Sequence, residues 1–145
     1  MPVYINNLSD SSFTDIFFKR IAKTVLDAER VKEKHLSIVL VGPEEIKKLN
    51  KKYRKKNEPT DVLSFSGESR KFIVPEGTGK ELGEIVICPS VVRKNAKKFQ
   101  SVFEKEMAKV LIHGILHLLG YDHSKKEEAA AMERKQEYYL LKYRF

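Results

Sequence analysis

Residues 102–123 read "VFEKEMAKVLIHGILHLLGYDH". The first half of this stretch mixes apolar and charged residues at helical spacing. The second half is apolar on nearly every side, through Val110, Leu111, Ile112, Ile115, Leu116, Leu118 and Leu119. A helix that is hydrophobic all round is a buried helix, so this one runs through a core that other elements must supply. Two histidines, His113 and His117, are set into the apolar surface. Four residues apart on a helix they share one face about a turn apart, which suits two ligands of one ion.

Three residues after His117 stands Gly120, a residue able to take the left-handed conformation that ends a helix. The chain can then turn back and bring His123 toward the same point, which makes a third nitrogen available. Three protein nitrogens with an open fourth position are the pattern of catalytic zinc, whereas structural zinc sites usually close with four protein ligands. A lone histidine on an apolar face is more often a core residue bonded to a carbonyl. Here Gly120 and His123, in register with the pair, favour the metal reading. The spacing is that of the metzincin proteases with one departure: Gly114 occupies the place of the glutamate. That glutamate is the general base of peptide hydrolysis, and glycine has no side chain to replace it, so proteolysis by that route is disfavoured. A phosphodiester needs chiefly charge neutralisation and alignment, and a metal lowers the pKa of its water to about 7 by itself. Gly114 either opens an approach to the metal or simply allows tight helix packing.

The rest of the chain supplies the wrapping. "VYI" near the start reads as a short strand. From about Ser12 to Arg30, apolar residues recur at helical spacing behind Ser and Thr residues able to cap the start. "HLSIVLVG" reads as a β-branched strand, and Pro43 suits the first turn of the helix that follows. "VLSFS", "KFIVP" and "LGEIVIC" read as further strands, the first and last apolar enough to lie in the interior of a sheet. The polar segment between "VLSFS" and "LGEIVIC", with three glycines, reads as a loop or irregular hairpin. Pro89 opens a short helix. A last helix follows Ser124, which can cap it with Glu127 as a capping-box partner, and runs to about Tyr143. With no internal repeat, the expected fold is α/β (α+β), a small mixed sheet packed with helices around a central buried helix. Strand order is not expected to follow from periodicity.

At 145 residues and 41% hydrophobic content the chain suits one compact domain spanning residues 1–145. Its apolar runs fall far short of the roughly 20 residues that cross a bilayer, and its N-terminus lacks a basic region followed by an apolar one. Cys88 is the single cysteine, so no intrachain disulfide forms and the cytoplasm is the expected compartment. The formal net charge of +8 favours a polyanionic partner. Seven cations fall within ten residues, Lys47, Lys48, Lys51, Lys52, Arg54, Lys55 and Lys56; a solvated helix face explains them as well as a binding surface does.

"HGILHLLGYDH", together with "LNKKYRKKNEPTDVLSFS" and "LGEIVIC" upstream, resembles the YbeY family of bacterial endoribonucleases. The resemblance implies a metzincin-like fold, zinc held by His113, His117 and His123, and cleavage of single-stranded RNA in ribosomal RNA maturation and ribosome quality control. It implies a role in the cleft for Arg54, which as a planar, permanent cation can grip a phosphate through two hydrogen bonds. Its partners would be RNA and the ribosome, with neither DNA nor membrane expected. Ser66 stands where the family usually has proline, and Glu84 where it has aspartate. Three imidazoles also suit nickel, copper or iron, so zinc rests on the resemblance.

Other residues carry two readings each. Thr60, Asp61 and Ser64 either contact the site or make ordinary turn chemistry before a strand. Asp122 either orients a ligand imidazole or completes its turn. Cys88 is expected in the core, His35 outside the chemistry, and Tyr138, Tyr139 and Tyr143 in packing rather than base stacking. The competing functions are a non-catalytic, zinc-containing RNA-binding or ribosome-binding factor and, resting on the histidine frame alone, a metalloprotease.

Overall fold

The computed structural model describes residues 3–31, 34–67, 81–122 and 124–145. "KFIVP", most of the loop around it, and His123 lie outside the described residues. In chain order the elements are β1 (Val3–Asn7), α1 (Asp15–Ala28), β2 (His35–Leu40), α2 (Pro43–Arg54), β3 (Val62–Ser66), β4 (Glu81–Ile87), α3 (Pro89–Lys98), α4 (Phe103–Leu118) and α5 (Lys126–Leu140).

The strands form a four-stranded mixed sheet in the order β1-β2-β4-β3. β1 and β2 are parallel, as are β2 and β4, while β3 runs antiparallel to β4. The sequence expectation for β4 holds, since it lies inside the sheet and is buried along nearly its whole length. For β3 it does not. "VLSFS" is an edge strand among the described residues, with buried Leu63 and Phe65 alternating with partly exposed Val62 and Ser64. An apolar run of five residues reads the same on an edge as inside when only one of its faces is buried.

Each face of the sheet carries its own core. On one, Leu36, Ile38, Leu40, Ile85 and Ile87 meet α1, α4 and α5 through Phe18, Leu26, Leu111, Ile115, Met132 and Tyr139. On the other, Val39, Val86, Leu63 and Phe65 meet α2 through Ile46 and Leu49. α4 is the hub of the larger core: Leu111, Ile112, Ile115 and Leu116 are all fully buried. Each contributes roughly 1.5–3 kcal/mol relative to exposure, so this helix can neither slide nor turn cheaply.

The helix starts differ from expectation in one respect. Pro43 and Pro89 do occupy the first turns of α2 and α3, but Thr14 makes no side-chain cap to α1. Likewise α5 begins after Lys125 without a side-chain cap. Ser124 instead donates its hydroxyl to Asp122 Oδ2 at 2.8 Å and its N–H to Asp122 Oδ1 at 3.2 Å. A serine with a carboxylate two residues back closes a local turn in preference to capping the following helix.

Candidate active site

α4 ends as its sequence requires. Gly120 has φ +99°, its N–H donates to His117 O at 3.0 Å, and the Tyr121 N–H donates to Leu116 O at 3.1 Å. This pair of bonds is the left-handed helix closure for which glycine is suited. A Cβ at Gly120 would meet nothing within 4 Å, so the backbone angle rather than space selects the residue. The chain is thereby reversed three residues before His123.

His113 and His117 are half-buried, and their rings stand edge to face with centroids 4.8 Å apart and planes at 73°. His113 Nδ1 lies 3.0 Å from Gln136 Oε1, an oxygen that can only accept. An Nδ1–H donated to that oxygen would leave the lone pair on Nε2, the tautomer a metal needs from that nitrogen. The next residue is packed rather than open: a Cβ at Gly114 would come within 3.1 Å of Ile85 Cγ2 and of Ser64 Oγ. Of its two sequence readings, the packing one describes what is seen.

Arg54 reaches the histidines from the other face of the sheet. It is the last residue of α2, and its side chain reaches β3, where Nη2 donates to Ser64 O at 3.1 Å and the guanidinium sits 5.7 Å from the centre of the Phe65 ring. Ser64 in turn donates its hydroxyl to Gly114 O at 3.4 Å, a long bond linking β3 to α4. Between them lies an open cleft of about 620 Å³ whose walls include Arg54, Lys56, Asp61, Ser64, His113 and His117. That volume is within the range of small-ligand sites. Of the seven clustered cations, Arg54 and Lys56 line this cleft.

The turn that leads into β3 forms another wall. Lys55 closes α2 in the left-handed region at φ +59°, and the buried Asn50 donates its side-chain amide to Glu58 O at 2.9 Å. Asp61 Oδ1 accepts from the Val62 N–H at 2.8 Å and the Thr60 hydroxyl at 3.3 Å. Thr60, Asp61 and Ser64 thus satisfy both of their readings, as local turn chemistry and as cleft wall. A second, smaller cavity of about 200 Å³ lies beside His113 and includes Asp61, Val62 and Gln136.

Among the described residues no group of three or more His, Cys, Asp or Glu could hold a metal ion, and His123 lies outside them. The two donors that are described fit an imidazole-ligated ion, since they share a face, both line one cleft, and Nδ1 of His113 has a hydrogen-bond partner, which leaves Nε2 for the ion. A ligating histidine whose second nitrogen is so held is the usual arrangement around zinc.

The family model for Endoribonuclease YbeY matches residues 4–144, nearly the whole chain. The chain belongs to the YbeY family. It is 43% identical over 107 residues to the Endoribonuclease YbeY of Thermotoga petrophila, a match that takes in 73% of this chain and 65% of the relative's length. It is 35% identical over 140 residues to that of Lacticaseibacillus casei, covering 95% of this chain and 92% of the relative. The solution structure of TM1509 from Thermotoga maritima superposes with a TM-score of 0.63 at 34% identity, covering 94% of this chain and 86% of that one.

Among the remaining sequence candidates of this YbeY family member, Ser66 lines the cleft and the others do not. Cys88 is buried, with its thiol 3.4 Å from the Ser90 hydroxyl. His35 stacks on Tyr4 with ring centres 5.7 Å apart. Glu84 is buried in β4, opposite Ser37 and Phe65, and Ser66 is exposed at the end of β3. Asp122 accepts from the Ser124 N–H and hydroxyl within its turn. Tyr143 packs against the larger core, Tyr138 is exposed, and Tyr139 is buried.

Sequence reading missed two functional candidates, Gln136 and Glu29. Gln136 stands four residues from both Met132 and Leu140, on the buried stripe of α5, and a polar residue there needs a partner. Glu29 caps the C-terminus of α1, where the helix dipole disfavours a carboxylate. It accepts hydrogen bonds from the Tyr121 hydroxyl at 2.8 Å, the Lys135 ammonium at 2.9 Å and the Tyr139 hydroxyl. Burial alone would push this carboxyl up, but the donors outweigh it and hold it below the ordinary carboxylate range. Burial and the same carboxylate push the Tyr139 hydroxyl well above the usual phenol range.

Proposed function

We propose that the chain is a metal-dependent endoribonuclease that cuts single-stranded RNA and acts in the cytoplasm on ribosomal RNA. The observation that carries this reading is the convergence of Arg54 and the two helix histidines on one cleft from opposite faces of the sheet. Its support from outside the site is membership of a family whose curated members bear the name Endoribonuclease YbeY. No helix among the described residues is long and apolar enough to cross a membrane.

Zinc would be held by His113, His117 and His123, one ion per chain. When bound, it supplies charge neutralisation at the scissile phosphate and acidifies a water. Arg54 grips a phosphate oxygen. The bond from Nη2 to Ser64 O uses one N–H and aims the fork, leaving its other donors for the substrate. Lys56, at the rim, adds salt-dependent attraction for the RNA backbone. Asp61 is tied to its own turn and holds the wall against which the strand lies.

Gly114 argues against the protease alternative, because it is pressed against Ile85 and Ser64 and supplies no carboxylate beside His113. The test is cleavage of an end-labelled single-stranded RNA by the parent and by His117→Ala, with metal content measured on both. Cutting by the parent and not by the metal-poor variant supports the proposal. Equal cutting refutes it, and binding without cutting under any metal favours the RNA-binding factor. Product ends identify the nucleophile: a 2',3'-cyclic phosphate marks attack by the ribose 2'-hydroxyl, and a 3'-hydroxyl paired with a 5'-phosphate marks attack by water.

A further inference from the structure

α5 stands behind the histidines and contributes no ligand to them, yet two sets of its side chains run toward the site. Gln136 is 8% exposed, and its Oε1 lies 3.0 Å from His113 Nδ1. On neighbouring positions of the same helix, Lys135 and Tyr139 both donate to Glu29, whose third donor is Tyr121. Tyr121 follows Gly120 directly and precedes His123 by two residues. One carboxylate therefore ties together the end of α1, the C-terminal half of α5 and the turn that leaves α4.

Such a cluster is more than local packing. The side chain of Glu29 is 10% exposed and Tyr139 is 1% exposed, so these two partners meet away from water, while Lys135 closes the network from the surface at 43% exposure. A buried carboxylate with three donors is strongly directional, and each donor comes from a fixed element. The consequence for the site is geometric. Gln136 can set the tautomer of His113 only while α5 keeps its position along α4, and that position is what Glu29 holds through Lys135 and Tyr139.

From this arrangement we propose that α5 is the positioning element of the metal site. Gln136 fixes His113 in the Nδ1-protonated tautomer, and the Glu29 cluster pins both the helix of Gln136 and the Tyr121 turn leading to His123. Gln136 and Glu29 are positioning residues, acting through His113 and Tyr121. The inference rests on the histidines being metal ligands. It is tested first in the metal-free protein without RNA, so its failure is distinct from failure of the nuclease reading.

The experiment is a long-range proton–nitrogen NMR spectrum of the metal-free protein, at a pH above the histidine range, followed by zinc affinity in competition with a chelator. The parent is expected to show His113 protonated at Nδ1. Gln136→Met keeps the volume and removes the acceptor, so it should lose that preference and bind zinc roughly ten- to a hundredfold more weakly. Gln136→Glu restores an acceptor oxygen and should keep Nδ1 protonated and the affinity near the parent's. Tyr121→Phe should leave the tautomer unchanged and weaken zinc several-fold through the turn. Thermal melting of each variant establishes that it is folded. An Nε2-protonated parent, an unchanged His113 spectrum in Gln136→Met, a Gln136→Glu variant as weak as Gln136→Met, or a Tyr121→Phe variant binding zinc like the parent would each overturn the proposal.

Discussion

Replacing Gly114 by alanine sets two effects of known size against each other. In a helix interior alanine is favoured over glycine by about 0.8–1 kcal/mol. The added Cβ, however, would lie 3.1 Å from Ile85 Cγ2, 3.2 Å from Ile85 Cδ1 and 3.1 Å from Ser64 Oγ. Ser64 can turn away at the loss of a long hydrogen bond, but Ile85 is 0% exposed on a central strand and has nowhere to move. Overpacking of a filled core typically costs about 1–3 kcal/mol. The variant should therefore be destabilised by about 1 kcal/mol in urea denaturation, despite its better helix propensity, and cleavage should fall because α4 shifts beneath both histidines. Ile85→Val removes the Cδ1 contact and alone costs about 0.5–1.5 kcal/mol. Combined with Gly114→Ala it should cost less than the sum of the two, a coupling a double-mutant cycle reads directly. A Gly114→Ala protein about 1 kcal/mol more stable than the parent would refute the reasoning, since the sheet would then yield freely at that point.

Further expectations follow from the same geometry. Arg54→Lys loses the planar fork and should reduce RNA cleavage roughly ten- to a hundredfold, the worth of about 1.5–3 kcal/mol of charged hydrogen bonding, with zinc content unchanged; equal cleavage would remove Arg54 from the mechanism. Gly120→Ala forces a Cβ into the left-handed region at φ +99° and should lower stability by about 1–2 kcal/mol, read by thermal melting; an unchanged Tm would show that the turn relaxes. Glu29, faced by Tyr121, Lys135 and Tyr139, has its carboxyl lowered in the fold. Its contribution is therefore complete above the ordinary carboxylate range and lost as pH falls through the lower folded value. The stability advantage of the parent over Glu29→Gln should shrink on acidification in urea titrations at stepped pH, and a constant difference would contradict the assigned network.

What could be read from the sequence was local. α4 declared itself because burial on all sides leaves no polar face, and Gly120 because one backbone angle ends the helix there. The histidine pair follows from helical spacing alone. Arg54 was one cation among seven until the fold set it at the edge of β3, and only the resemblance singled it out beforehand. The edge position of β3 depends on which strand pairs beyond it, a non-local fact that an apolar run does not encode. Ser124 failed as a cap because Asp122, two residues away, competed for it. Gln136 and Glu29 did leave marks, a polar residue on a buried stripe and an acid at the wrong helix end. Their partners lie 23 residues away for Gln136 and 92, 106 and 110 residues away for Glu29, so the marks could not be joined into a network without the fold.

The most direct test of the metal-dependent nuclease is stepwise return of zinc to metal-stripped protein while cleavage of a single-stranded RNA is followed. Cleavage by the parent should rise with zinc and level off at one equivalent per chain, and His117→Ala should stay inactive throughout. Full activity in the stripped parent, or equal recovery by His117→Ala, would contradict the account.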